Sequence, residues 1–267
     1  MLFRKITPRS HTFSSATSFS NNMIKQKKQA EVDFFDRYGK ELEFDAFDER
    51  GYKRLIDECL KHVKPADNFK VLELGCATGC FTGRLANYKF NITAVDISPN
   101  CINFAKEKYP DINFEVGDIE HLKYADASFD AVVLFGVLHH FPDLSIPLRE
   151  SYRLLKKGGT LFAYDPHICN PFTWIYRSKS SPFYSSEGVT ENESPLTKKE
   201  IRGGLGANGF VDYSVYCISG VTFNNKCQKF APIVATMMRF YNVIERIIDF
   251  WPIRELLGSS ILTVARK

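Results

Sequence analysis

The stretch Val71-Leu72-Glu73-Leu74-Gly75-Cys76-Ala77-Thr78-Gly79-Cys80-Phe81, answered by Ala94-Val95-Asp96-Ile97-Ser98, decides how this chain folds. Its first part reads as a short apolar strand, its middle as a tight turn of small residues, and its end as a helix start. Val71, Leu72 and Leu74 suit a strand buried on both faces of a parallel sheet. Glycines at 75 and 79 free the turn from Cβ clashes, so the backbone can pass close to a ligand. Asp96 follows the turn at about the twenty-residue spacing that sets a carboxylate against ribose hydroxyls in nucleotide folds.

The same turn excludes a dinucleotide fingerprint. G-x-G-x-x-G/A would need Gly or Ala at position 80, but the chain has Cys80, with Ala77 at the second glycine position. A pyrophosphate cradled on the helix N-terminus is therefore disfavoured, and with it a nicotinamide oxidoreductase. The stretch resembles instead the first motif of class I S-adenosylmethionine (SAM)-dependent methyltransferases, in which an acidic residue precedes a G-x-G/A-x-G turn. The resemblance continues through Phe129–Phe135 and the following Gly-Val-Leu-His-His-Phe-Pro-Asp, which is similar to the fourth-strand motif of quinone- and sterol-biosynthesis methyltransferases of type 11. An (N/D)-P-P-Y motif, carried there by enzymes that modify adenine or protein glutamine, is not present. The likeness spans residues 70 to 165.

What the resemblance implies is an α/β, Rossmann-like seven-stranded sheet with helices on both faces, SAM as methyl donor, and no metal. It implies donor contacts from Glu73, Gly75, Cys76, Ala77 and Gly79 in the turn. Asp96 would take the ribose, Asp118 would accept from the adenine amino group, and Ile97 and Ile119 would sandwich the ring. Phe135, at the end of the fourth strand, completes the set.

Composition sets the outer bounds. At 267 residues the chain suits one sizeable domain with embellishments. The net charge of +4 is modest and no basic cluster stands out beyond Lys25-Gln26-Lys27-Lys28, so no electrostatic footprint for nucleic acid is expected. Seven cysteines form no C-x-x-C and no zinc-like pairing with histidine, which reads as buried thiols in a reducing compartment. Residues 1–30 contain no Asp or Glu and are rich in Ser, Thr, Arg and Lys. This segment reads either as a mitochondrial-type targeting tail or as a disordered tail of a cytoplasmic protein, with Met23 an alternative start. The folded domain is expected over 31–267. No run approaches the eighteen or so apolar residues of a spanning helix.

Outside the central motif, Phe34, Phe35 and Tyr38 mark a short aromatic helix, and Tyr52 to Val63 recur at helical spacing. Such helices either fold over the donor site or pad the sheet. Ser98-Pro99 is a helix start, and Thr197-Lys198-Lys199-Glu200 is a capping box. Leu148–Leu155 reads as a helix closed by Gly158-Gly159, with a fifth strand beginning at Thr160. Two additions depart from the minimal pattern: residues 165–195, rich in aromatics, and 219–258, an aromatic-rich helical insertion between strands six and seven. In the second, Ile233, Met237, Phe240, Tyr241, Ile244, Ile247, Ile248 and Trp251 make one apolar face opposite Arg239, Asn242, Arg246 and Asp249. Phe240, Tyr241, Ile244 and Trp251 suit an acceptor pocket; the same face could pack on the sheet edge, or 229–257 could touch a membrane surface.

Methyl transfer from a sulfonium is an in-line displacement in which positioning supplies much of the rate. A base matters only where the acceptor must lose a proton. His139 and His140 lie just past the fourth strand, at the crevice where such sheets bind ligands. His167, just after the fifth strand, is a further candidate, and each of the three could equally be structural. The leading reading is a small-molecule methyltransferase with a hydrophobic or amphiphilic acceptor. An RNA or protein methyltransferase and a non-catalytic partner of the same fold are the alternatives.

Overall fold

The computed structural model describes residues 26–41, 47–184, 189–222, 232–249 and 253–267. In chain order these form α1 (Lys28–Glu41), α2 (Glu49–His62), β1 (Lys70–Leu74), α3 (Cys80–Leu85), β2 (Asn91–Asp96), α4 (Pro99–Lys108) and β3 (Asn113–Val116). There follow β4 (Phe129–Phe135), α5 (Ser145–Leu154), β5 (Leu155–Pro166), α6 (Pro171–Arg177), α7 (Lys198–Ala207) and β6 (Asp212–Ile218). The insertion supplies α8 (Pro232–Ile248) and α9 (Ile253–Leu257) before β7 (Ser260–Arg266).

The strands form one sheet in the order β3-β2-β1-β4-β5-β7-β6. β3 to β5 run parallel, and β7 lies antiparallel between β5 and β6. The order reverses between β1 and β2 on one side and β4 on the other. That switch point opens a crevice at the carboxyl ends of the strands.

Alternation along the strands divides the core. Leu72, Leu74, Val132 and Leu134 pack on one face with Leu148 of α5 and Ile201 and Leu205 of α7. Val71, Ala131 and Val133 pack on the other with Leu55 and Ile56 of α2 and Phe81 and Leu85 of α3. Parallel strands between two helical layers must be apolar on both faces, which is why β1 and β4 read as continuous apolar runs. Glu73 is the exception, and it lies at the site.

The structure corrects several boundaries. Residues 26–30, assigned to the tail from composition, belong to the folded part: α1 starts at Lys28, and Gln26 donates to the His140 carbonyl at 3.0 Å. Gly158-Gly159 is no helix cap. α5 ends because Leu155 turns extended, and the glycines lie within β5, where Gly158 (φ 78°) donates to the Lys267 carbonyl. On α8 the buried side centres on Glu245, with Tyr241 and Ile248, while Phe240, Val243 and Ile247 face outward. Glu245 accepts from Ser259 Oγ at 2.8 Å and Asn170 Nδ2 at 3.3 Å, and this buried network, not the apolar count, orients the helix. Side chains of Ile233, Met237 and Trp251 lie outside the described residues. Among the described residues no helix is long and apolar enough to cross a membrane.

Gly75 sits at φ 73°, and a Cβ there would come within 2.5 Å of Val137 Cγ2. Gly75→Ala should cost about 1–3 kcal/mol of stability, from the left-handed conformation and the clash together. A denaturant midpoint equal to that of the parent chain would show that the turn tolerates a side chain.

Candidate active site

The turn after β1 is built on three residues with positive φ: Gly75 at 73°, Ala77 at 44° and Gly79 at 75°. Only Ala77 carries a Cβ there, a conformation that needs outside support. Asp96, at the end of β2, supplies it. One carboxylate oxygen accepts from the Ala77 N–H at 2.8 Å and the other from the Ser98 N–H at 2.9 Å. Burial raises the Asp96 pKa, against the pull of these two bonds. Each oxygen keeps a further lone pair for a ligand hydroxyl.

Glu73 sits beneath the turn, 1% exposed, with Oε2 buried and without a protein partner. Burial, opposed by the neighbouring Thr82 hydroxyl and reinforced by the Asp96 charge, pushes its pKa up to about 8. A buried carboxylate oxygen lacking a donor is costly unless a ligand supplies one. On the far side, Asp118 caps a 3-10 turn at Ile119–His121, with Oδ1 accepting from the Glu120 N–H. Its Oδ2 accepts from Lys28 of α1 at 2.6 Å, and Lys28 also pairs with Glu120 at 2.8 Å.

These groups line a cavity of about 260 Å³ together with Gly75, Cys76, Ala77, Ile97, Ile119 and Phe135. Gly79 is not among the lining residues: a Cβ there would meet the Phe114 ring at 2.9 Å, so it serves packing against β3 and α4. One wall is aromatic. Phe135 stacks on Phe81 at 4.2 Å and on Tyr164 at 5.0 Å between ring centroids, and Phe47 meets Phe135 and Tyr164 edge-on.

The opposite end is polar. His139 is buried, and Asp165 Oδ1 lies 2.9 Å from its Nδ1 while accepting from its backbone N–H at 3.0 Å. Burial raises the Asp165 pKa well above its ordinary value, and with Nδ1 engaged by Asp165, Nε2 is the His139 ring nitrogen left for other contacts. Burial pushes the His139 pKa down to about 3. His140 behaves oppositely. Burial disfavours its cation, but the bond and charge of Glu31 outweigh this and raise its pKa, while Glu31 is held low despite its own burial. His140 Nδ1 lies 3.2 Å from Glu31 Oε2 and 3.1 Å from Thr190 Oγ1. Glu193 and Arg177, from the 165–195 segment, close this end.

His167 is not brought to the cavity. It is 2% exposed, with Nδ1 3.0 Å from the Gly258 carbonyl and 3.5 Å from Cys217 Sγ, so it ties β5 to the chain entering β7. Of the residues suited by periodicity to an acceptor pocket, Phe240 is exposed, Tyr241 and Ile244 do not line the cavity, and Trp251 lies outside the described residues. Sequence reasoning missed Gln26, Glu31, Tyr164, Arg177 and Glu193. Glu31 had a signal: it sits four residues before Phe35, on one helix face with an aromatic already suspected of covering the site.

A buried acid with one oxygen lacking a partner, beside a diol-competent carboxylate, fits a donor carrying an amino group and a ribose. Residues 72–163 match the family described as "Methyltransferase domain". Over that stretch the chain carries a methyltransferase-type domain. The domain is 34% identical over 110 residues to the demethylmenaquinone methyltransferase of Chlorobaculum parvum, covering 40% of this chain and 45% of that protein. It is 35% identical over 103 residues to the malonyl-[acyl-carrier protein] O-methyltransferase of Erwinia pyrifoliae, covering 39% of each. This chain thus spans less than half the length of these curated relatives. In fold, it resembles the methyltransferase solved in complex with the Haloferax volcanii Trm112 methyltransferase activator, with a TM-score of 0.62, 18% identity and coverage of 88% and 95%.

Within the methyltransferase domain Asp96→Ala should weaken SAM binding by about 1–3 kcal/mol, the scale of hydrogen bonds to a charged group. Calorimetry should show this loss, and no NAD binding by either protein. Unaltered SAM affinity in the variant, or tight NAD binding, would remove the donor assignment.

Proposed function

We propose that the chain transfers the methyl group of SAM to a small hydrophobic or amphiphilic acceptor, of quinone, isoprenoid, polyketide or lipid-precursor type. The observation that carries this is one cavity in which the Glu73–Asp96–Asp118 donor groups meet an aromatic wall and a buried histidine–carboxylate end. An acceptor with an apolar body and one ionisable group matches such a lining: the body lies against Phe47, Phe135 and Tyr164, and the reacting atom is held at His139 and His140. The names of the relatives point the same way, since a demethylmenaquinone and a malonyl-carrier methyltransferase both stand among them.

A membrane surface is the natural source of such acceptors, and α8 offers a contact. Phe240, Val243 and Ile247, 68%, 53% and 64% exposed, recur at i, i+3 and i+7 as an outward apolar ridge.

Two measurements test the reading. In an acceptor screen followed by S-adenosylhomocysteine release, apolar phenols, quinols and acyl precursors should be turned over. Methylation of tRNA, protein or hydrophilic amines alone would sink the acceptor class. Replacing Phe240 and Ile247 by Glu should abolish binding to liposomes while moving stability by no more than about 0.5 kcal/mol, as for exposed positions. Unchanged liposome binding would remove the membrane contact.

A further inference from the structure

The polar end of the cavity holds an arrangement that methyl transfer from SAM does not by itself require. One ring nitrogen of His139, one of His140 and a carboxylate oxygen of Glu193 all lie within 4.8 Å of one another. We propose that His139, His140 and Glu193 bind a divalent transition-metal ion of the zinc or manganese class, which presents an open coordination position to the acceptor. The inference rests on the methyltransferase reading for the role of the ion, and not for its binding.

Orientation supports the donor set. Nδ1 of His139 is engaged by Asp165 at 2.9 Å, and Nδ1 of His140 faces Glu31 at 3.2 Å. Each imidazole therefore has a carboxylate behind it and Nε2 left to donate to a cation. Carboxylate–histidine pairs of this form fix the tautomer and raise the basicity of metal-binding imidazoles. Glu31, Asp165 and Glu193 surround the two rings, and Arg177 pairs with Glu193 at 3.8 Å.

The donor types narrow the ion. Two imidazoles and one carboxylate suit zinc, iron or manganese, and are poor partners for calcium, which takes six to eight oxygens. Donors around a zinc-sized ion lie about 3–3.5 Å apart, given bonds near 2.1 Å. The set must therefore close by roughly an ångström on binding. Glu193 can supply that movement, because it comes from the loop between α6 and α7 and not from the sheet. Three protein donors leave a coordination position open, as in catalytic zinc sites. The sequence reading expects no metal. Spacing searches look for ligands close in the chain, and Glu193 is contributed by a distant segment.

The test uses the full chain, stripped with a chelator and titrated with Zn²⁺, Mn²⁺ and Co²⁺ separately, without SAM or acceptor. One ion per chain should bind, and the Co²⁺ form should show ligand-field bands of nitrogen and oxygen coordination without thiolate charge transfer. Glu193→Gln and His139→Ala should each weaken binding at least tenfold, while His167→Ala, outside the cavity, should not. Glu193→Gln keeps the side-chain volume and so guards against a His139 variant that fails to fold. S-adenosylhomocysteine affinity, measured on the same samples, reports the donor site separately. Absence of binding, binding unaffected by Glu193→Gln, or a thiolate spectrum would overturn the metal site, whether or not the donor binds.

Discussion

The carboxylate of Asp96 ties the ends of two strands together, and the site is organised about it. Its two oxygens accept the Ala77 and Ser98 N–H groups, so the turn after β1 and the turn after β2 share one anchor. Ala77 keeps its positive φ in that grip. Ser98 in turn caps α4 by accepting from the Cys101 N–H, and donates its hydroxyl to Asp36 of α1. A single buried acid thus couples the donor turn to the helix that covers it. Its desolvation is offset in part by two charge-assisted bonds that no neutral side chain of the same size would make as strongly.

The cavity divides its work by polarity. Toward the donor turn it holds three acids, Glu73, Asp96 and Asp118, with Oε2 of the buried Glu73 lacking a hydrogen-bond partner. Toward β5 it is a stack of aromatic rings, which supplies apolar contact area with little rotamer entropy to lose. At the third corner are two histidines with carboxylates behind them. Burial lowers the effective dielectric, so charges placed there act more strongly than they would in water. α1 is the common roof: Lys28 reaches Asp118, Glu31 reaches His140 and Phe35 lines the cavity.

The central fold was legible because its signals are local. Val71 to Phe81 declares strand, turn and helix within eleven letters, and Phe129 to Phe135 is a β-run bounded as the structure bounds it. The residues expected to meet the donor, Gly79 excepted, come together around one cavity, because strand ends converge at a switch point whatever the details. His167 misled because proximity to a strand end does not say which way a side chain points; the Gly258 carbonyl decides it. Periodicity on α8 found an amphipathic helix but inverted part of it, since the buried Glu245 accepts from two partners distant in sequence. Glu193 and Arg177 gave no signal, for they lie in irregular chain where tertiary contact alone sets position.

The most direct test of the account is a crystal structure of the chain with S-adenosylhomocysteine. The account predicts the ribose hydroxyls on Asp96, the adenine between Ile97 and Ile119 with its amino group at Asp118, and the ligand's ammonium near Glu73 Oε2. It also predicts that Lys28 gives up or shares its bond to Asp118. A ligand bound outside this crevice, or one leaving Asp96 and Glu73 without contact, would contradict it.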